Sequence, residues 1–239
     1  MATLTCQGKR FEHIAAVLFD KDGTLADSHG FLHKLAIARS QYLEQHVPGT
    51  GSSLMAAFGC DTTTCNTSGL MAVGTRYENE IAAATYVAAQ SKAWGEALVI
   101  AQQAFIAADQ QFRRKAIATP PYADIVPMLE QLARHGVRLA VLSGDTTPNV
   151  QDFVDCYDLT HLVSWCAGSE KMPRKPDPQM LWQACQQLQV LPEHSLVIGD
   201  SILDRQLAHQ GQAQAFISVT WGGSAAIDGA DAIAQCPKD

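Results

Sequence analysis

The pattern of apolar residues along the chain begins as that of a strand and then becomes that of helices. Residues 14–19 are almost continuously apolar, which is typical of a strand buried on both faces of a parallel sheet. Between residues 28 and 118 apolar positions recur every three to four residues in segments rich in Ala, Leu, Gln and Glu. This spacing predicts amphipathic helices at 31–46, 76–90 and 94–117. No segment of this region has the pattern of a strand.

After Pro120-Pro121 the patterns of strands and helices alternate. Strands are predicted at 137–142, 162–165, 196–198 and 215–219, and helices at 123–135, 148–157, 178–189 and 203–210. Such alternation indicates parallel βαβ units with helices on both faces of the sheet. The sequence therefore predicts an α/β fold, a Rossmann-like doubly wound parallel sheet. Its core comprises residues 1–27 and 119–239, and an α-helical domain is inserted at 28–118.

Composition and charge bear on the class of partner. The chain of 239 residues is 47% hydrophobic and has a net charge of −7, and its longest basic run, Arg113-Arg114-Lys115, lies inside a helical pattern. The sequence thus lacks the clustered basic residues that are typical of nucleic-acid-binding proteins. No apolar run approaches the roughly 20 residues that cross a bilayer, and the N-terminus lacks the pattern of a secretory signal. We expect a cytoplasmic protein without a nucleic-acid or membrane partner, and its oligomeric state is left open.

The seven cysteines are scattered, odd in number and free of any C-x-x-C pair. This distribution favours reduced thiols over a disulfide scaffold. Cys60 and Cys65 could be two metal ligands, but no second pair of cysteines or histidines lies nearby at the spacing of a zinc site. A metal site at these cysteines is therefore not expected.

Chemically active side chains follow the predicted strands of the core. In chain order the segments are Asp20-Lys21-Asp22-Gly23-Thr24, Ser143-Gly144-Asp145, Lys175-Pro176-Asp177-Pro178 and Gly199-Asp200-Ser201, with Asp204 one helical turn later. Ligands of open parallel sheets bind beyond the carboxyl ends of the strands. Carboxylates, a hydroxyl and an ammonium group are therefore expected to converge on one edge of the sheet.

These segments resemble the four motifs of the haloacid dehalogenase superfamily of phosphohydrolases. "DKDGTLADS", "VLSGD", "RKPDP" and "VIGDSILD" are similar to its first, second, third and fourth motifs. The helical insert is similar in position and type to the cap of the phosphoglycolate phosphatase-like branch. The resemblance implies a phosphatase that uses Mg²⁺ to hydrolyse a small phosphorylated metabolite through an aspartyl-phosphate.

The resemblance also implies how the acids divide the chemistry. Asp20 would be the nucleophile and a metal ligand, because a carboxylate can attack phosphorus and split one displacement into two. Asp22 would be the general acid and then the general base, and its backbone carbonyl would also bind the metal. Asp200 would be a further metal ligand, and Asp204 would assist through a water or by orienting Lys175. Carboxylates and phosphate repel each other, so a hard dication such as Mg²⁺ is needed between them.

Three further positions would contact the phosphoryl group. The resemblance implies that Ser143 and the Gly144 amide hydrogen-bond its oxygens, and that Lys175 neutralises the transition state. The third motif lacks the usual glycine spacing before its lysine. Lys171 is therefore kept as an alternative to Lys175.

Lys21 departs from the family pattern, which usually has an apolar residue at this position. Because side chains alternate along a strand, we expect Lys21 to point away from Asp20 and Asp22. It should then affect the surroundings of the site rather than the chemistry.

Two questions stay open at the level of sequence. Arg76 could meet a carboxylate or second phosphate of the substrate, but a solvated charge at the start of a helix is the favoured interpretation. Two alternatives to a phosphatase are a phosphomutase or other phosphotransferase of the same superfamily, and a non-catalytic binding or regulatory protein on the same scaffold. The complete set of acids argues against the non-catalytic alternative.

Overall fold

The computed structural model describes residues 1–112, 114–170 and 173–239 and begins with a β-hairpin. Strands β1 (Ala2–Cys6) and β2 (Lys9–Ile14) pair antiparallel. Gln7 and Gly8 connect them with positive φ angles of 49° and 78°. Positive φ at both turn residues is the geometry that matches the twist of a two-residue hairpin. Sequence analysis did not predict this hairpin.

A six-stranded parallel sheet forms the centre of the core. Its strands are β3 (Ala16–Phe19), β4 (Arg138–Leu142), β5 (Val163–Ala167), β6 (Ser195–Gly199), β7 (Ala215–Val219) and β8 (Ala232–Ala234). Their order across the sheet is β5-β4-β3-β6-β7-β8, and all neighbours are parallel. All four residues of β3 are buried, which accounts for its continuous apolar pattern. The predicted α/β, Rossmann-like fold class is confirmed.

Residues Ser28–Thr119 form one compact unit, and Met1–Asp27 with Pro120–Asp239 form another. The helices of the first unit are α1 (His29–His46), α2 (Gly51–Phe58), α3 (Leu70–Val73), α4 (Arg76–Ala89), α5 (Trp94–Gln110) and α6 (Lys115–Ala118). Phe58 and Phe105 are fully buried in its core and meet edge to face, with ring centroids 6.3 Å apart. The secondary structure described in this unit is helical, as its periodicity predicts.

Cys60 and Cys65 form a disulfide within the helical unit. The expectation of reduced thiols is wrong for this pair. The carboxylate of Asp61 accepts hydrogen bonds from the amides of Thr63 and Thr64, and this turn brings the two sulfurs together. The other cysteines, Cys6, Cys156, Cys166, Cys185 and Cys236, are free.

Within the described residues, four α-helices accompany the strands of the core. They are α7 (Ile125–Arg134), α8 (Thr147–Cys156), α9 (Pro178–Gln187) and α10 (Ile202–Gly211). Leu181 of α9 and Leu207 of α10 lie in one buried apolar cluster with Leu18 of β3. This packing fixes β3 relative to the helices that follow it. Of the helices in the described ranges, none has the length and apolar character of a membrane span.

Candidate active site

Asp20 directly follows the central strand β3. Its backbone N–H donates to the carbonyl of Ile198 in β6 at 2.9 Å. The hydrogen bonds between the two strands therefore continue up to the residue that carries the carboxylate. Asp20 is buried, and this anchoring holds its side chain at the carboxyl end of the sheet, where a ligand is expected.

The chain turns tightly just after Asp20. The carbonyl of Lys21 accepts hydrogen bonds from the amides of Leu25 and Ala26 at 2.9 and 2.8 Å. Gly23 has a φ of +86°, and a Cβ atom at this position would lie only 2.3 Å from Oδ2 of Asp200. Both the backbone conformation and the close approach of Asp200 require glycine here. The turn therefore brings the first and fourth motifs together.

Three carboxylates and one lysine form the centre of the site. Asp20, Asp200 and Asp204 each offer an oxygen, and these oxygens all lie within 4.8 Å of one another. Nζ of Lys175 donates to Oδ1 of Asp20 at 2.6 Å and to Oδ1 of Asp204 at 2.5 Å. Asp204 is itself fixed at the start of α10, where its Oδ2 accepts hydrogen bonds from the hydroxyl and amide of Ser201. The sequence-predicted residues Asp20, Lys175, Asp200 and Asp204 are thus brought together.

The electrostatics of this cluster favour a bound cation. Burial, together with Asp204 and Asp200, raises the pKa of Asp20 to about 8 although Lys175 opposes the change. Burial and Asp204 likewise raise the pKa of Asp200 to about 7. Burial alone would lower the pKa of Lys175, but Asp20 and Asp204 raise it above its ordinary value. Within the described residues, Lys175 is the lysine paired with this cluster, and one ammonium group does not balance three carboxylates. This set of hard oxygen donors fits a divalent ion such as Mg²⁺.

The second motif lies at the end of β4, beside β3. Ser143 is buried, and its backbone N–H donates to the carbonyl of Ala167 at 2.9 Å. Its hydroxyl accepts from the amide of Asp145 at 3.0 Å, and the carbonyl of Gly144 accepts from the hydroxyl of Ser169. These bonds fix the turn that carries the Gly144 amide. Of the two candidate lysines, Lys175 contacts Asp20, whereas Lys171 lies outside the described residues.

Lys21 does not have the orientation expected from alternation. Its side chain is 1% exposed, and Nζ lies 2.7 Å from Oδ1 of Asp22 and 3.3 Å from Oδ2 of Asp145. The expectation that Lys21 points away from Asp22 is wrong. Strand β3 ends at Phe19, so the alternation of side chains no longer holds in the turn that follows. Lys21 instead links the first motif to the second.

The comparison with protein families agrees with this arrangement. Residues 14–211 match the family model described as haloacid dehalogenase-like hydrolase. The chain belongs to this family. The resemblance inferred from the four motifs is therefore confirmed.

Curated relatives of this haloacid dehalogenase-like hydrolase include two phosphoglycolate phosphatases. The chain is 31% identical over 102 residues to that of Pasteurella multocida, a match covering 42% of this chain and 45% of the relative. It is 27% identical over 124 residues to that of Pseudomonas putida, covering 52% and 45%. The matched segments thus span about half the length of these curated relatives.

Solved structures of the family show the same fold over nearly the whole chain. One is described as a predicted phosphoglycolate phosphatase from Haemophilus somnus and superimposes with a TM-score of 0.73. The two proteins are 21% identical, and the comparison covers 96% of this chain and 97% of the other. At this level of identity the likeness concerns the fold alone.

The haloacid dehalogenase-like site includes contacts that sequence analysis missed. The hydroxyl of Ser224 donates to Oδ2 of Asp200 at 2.7 Å. Ser224 lies outside the four motifs, so no sequence signal identifies it. Asp145 belongs to the quoted second motif, but its contact with Lys21 could not be inferred from that motif.

Arg76 has partners within the helical unit. It follows Thr75, which forms a capping box with Glu78 at the start of α4. Its Nε donates to Glu80 at 2.8 Å, and its Nη1 is paired with Asp109. The guanidinium of Arg76 is thus ion-paired with two acids of the helical unit. Contact between Arg76 and a substrate stays a prediction.

Proposed function

We propose that this hydrolase is a Mg²⁺-dependent phosphatase that acts on a small phosphorylated metabolite through an aspartyl-phosphate. The observation that carries the proposal is the pair of short contacts from Lys175 to Asp20 and Asp204, beside Asp200. These contacts bring carboxylates and a cationic side chain together at one buried point. A site that only binds phosphate would not need carboxylates there, because they repel phosphate.

In this proposal Asp20 attacks the phosphorus atom, and a bond forms between its carboxylate oxygen and phosphorus. The ester bond breaks, its electron pair stays on the leaving oxygen, and Asp22 gives that oxygen a proton. Asp22 then takes a proton from water, which attacks phosphorus and releases Asp20 and inorganic phosphate. Lys175, the hydroxyl of Ser143 and the Gly144 amide offset the charge on the phosphoryl oxygens.

Asp20, Asp200 and the backbone carbonyl of Asp22 would hold Mg²⁺ in the proposed enzyme. When bound, the ion supplies positive charge between the carboxylates and the phosphate. The helical unit, residues 28–118 of the sequence prediction, is proposed to act as the cap that sets substrate choice. Caps of this kind exclude water from the reacting groups.

The test of the proposed function is a screen of phosphomonoesters, with 2-phosphoglycolate first because the curated relatives carry its name. We expect release of inorganic phosphate that requires Mg²⁺ and stops on chelation. A phosphomutase would instead isomerise a sugar phosphate without net phosphate release. A binding protein would turn over no phosphomonoester, and either result would replace the proposal.

Replacement of Asp200 by Asn should change how the protein responds to Mg²⁺. The folded-state pKa of Asp200, about 7, exceeds the ordinary value of about 3.9. The folded protein therefore holds a proton that the unfolded chain loses, and the free energy of unfolding without metal falls as pH rises from about 4 to 7. Asp200→Asn removes both this pH dependence of the free energy of unfolding and a proposed metal ligand.

The measurement is thermal unfolding at pH 7.5, with and without MgCl₂. The native protein should gain about 2.7 kcal/mol at a Mg²⁺ concentration 100-fold above Kd, and Asp200→Asn should gain little. Asp228 is exposed, so Asp228→Asn is the matched control and should respond like the native protein. An undiminished response of Asp200→Asn to Mg²⁺ would remove Asp200 from the metal site.

A further inference from the structure

We infer that Lys21 is a positioning residue that holds the carboxylate of Asp22 in place for proton transfer. The inference rests on the proposed function, in which Asp22 donates a proton to the leaving oxygen. Lys21 is almost fully buried, with its Nζ between Oδ1 of Asp22 at 2.7 Å and Oδ2 of Asp145 at 3.3 Å. A buried ammonium group requires such partners, and here one partner is the proposed acid and base.

Asp145 anchors the lysine from the side of the second motif. Its Oδ1 accepts hydrogen bonds from the amide of Thr146 and from Nδ2 of Asn149, both at 2.8 Å. These donors belong to the first turn of α8 and the residue before it. The ring of Phe153, also in α8, lies with its centroid 5.8 Å from Nζ of Lys21. The position of Lys21 is thus determined by α8 and by the loop after β4.

Through Lys21, the rigid helix α8 constrains the side chain of Asp22, which lies in a turn. Asp22 is carried by the tight turn after β3, whereas Asp145 and Phe153 are tied to α8. The ion pair restrains the position of Oδ1 of Asp22. Errors of about 1 Å in the position of a reacting group can cost about 100-fold in rate, so this constraint has a kinetic consequence.

Lys21 contributes to stability as well as to position. Replacing both members of a buried ion pair by apolar side chains of similar volume is often neutral or stabilising, whereas removing one member alone is destabilising. Lys21→Met would keep an apolar side chain beside Phe153 but would remove the ammonium group from Asp22 and Asp145. The test must therefore separate a kinetic effect of Lys21 from a general loss of stability.

The test compares two classes of leaving group. An alkyl phosphomonoester such as 2-phosphoglycolate needs a proton on its leaving oxygen, whereas p-nitrophenolate leaves readily without one. We expect Lys21→Met to lower kcat/KM, which reports only the steps up to departure of the leaving group, about 100-fold on the alkyl ester and less than about 10-fold on p-nitrophenyl phosphate. Lys9→Met, a change at an exposed lysine of the same unit, is the control and should leave both rates unchanged.

A double mutant separates positioning from general damage. Because Lys21 acts through Asp22, Lys21→Met combined with Asp22→Asn should be no slower than Asp22→Asn alone. Equal losses on both substrates, or additive losses in the double mutant, would overturn the inference. If Lys21→Met does not fold, Asp145→Asn removes the anchor while keeping Lys21 and Asp22. It should show the same bias towards loss on the alkyl ester, and a loss without bias would overturn the inference.

The failure of the inference can be told from failure of the proposed function. If the native protein hydrolyses no phosphomonoester, or if Asp22→Asn shows no bias between the leaving groups, the proposed mechanism fails. If Asp22→Asn shows the bias and Lys21→Met does not, Lys21 alone loses its assigned role.

Discussion

Replacement of Asp20 by Asn should reduce phosphatase turnover by at least about 10⁴-fold. A carboxamide is a poor nucleophile towards phosphorus, and Asp20 is held at the end of β3 by the hydrogen bond from its backbone amide to Ile198 of β6. The fold should persist, because burial already disfavours the charged form of Asp20 and Asn has nearly the same volume. The measurement is phosphate release with saturating Mg²⁺, together with circular dichroism and thermal unfolding.

A second measurement examines the covalent intermediate. Rapid acid quenching of the native protein with substrate should yield a peptide containing Asp20 that is heavier by one phosphoryl group. Asp228→Asn, at an exposed acid of the core, should retain both turnover and the modified peptide. A folded Asp20→Asn protein with nearly normal turnover would contradict the assignment of the nucleophile.

Replacement of Lys175 by Met should reduce kcat about 10²- to 10³-fold. The lysine donates to Asp20 and Asp204, so its loss removes the side-chain cation that offsets charge on the phosphoryl group. It also leaves these two buried carboxylates without that cation, which should lower thermal stability without Mg²⁺ more than with it. Steady-state kinetics and thermal unfolding in both conditions measure the two effects.

Lys171→Met is the matched variant for this experiment, because the sequence left two candidate lysines. We expect its turnover to stay within a few-fold of the native value, since Lys175 already contacts the proposed nucleophile. A larger loss in Lys171→Met than in Lys175→Met would exchange the two assignments.

The fold could be predicted from sequence because the buried strands β3, β4, β6 and β7 have distinct apolar runs. That Asp20, Ser143 and Asp200 follow neighbouring strands at one edge of the sheet could be predicted, because parallel strands end at the same edge. The hairpin of β1 and β2 was missed because Gln7-Gly8 is not among the turn dipeptides that signal a hairpin strongly. Strand β8 has only three residues, too few for a periodic pattern.

Other features could not be predicted because they depend on side-chain contacts that no sequence pattern signals. Alternation along β3 gives no information about Lys21, whose direction is set by the turn and by Asp145. The number and spacing of the cysteines gave no sign of the Cys60–Cys65 disulfide, which depends on a local turn. Ser224 reaches Asp200 from a loop after β7 that carries no recognisable motif.

The position of β3 in the sheet has a consequence for the order in which the protein can fold. Ala16 pairs with Arg138 on one side and with Ser195 on the other. The central strand β3 can therefore be incorporated into the sheet only after partner strands far along the chain have been synthesised. Contacts of such sequence separation form slowly. The helical unit is one continuous segment, Ser28–Thr119, and can fold on a ribosome before either partner strand exists. A nascent chain that stops before β6 has Asp20 but neither Asp200 nor the strand that holds Asp20 in place, so the proposed hydrolysis can begin only after β6 has been synthesised.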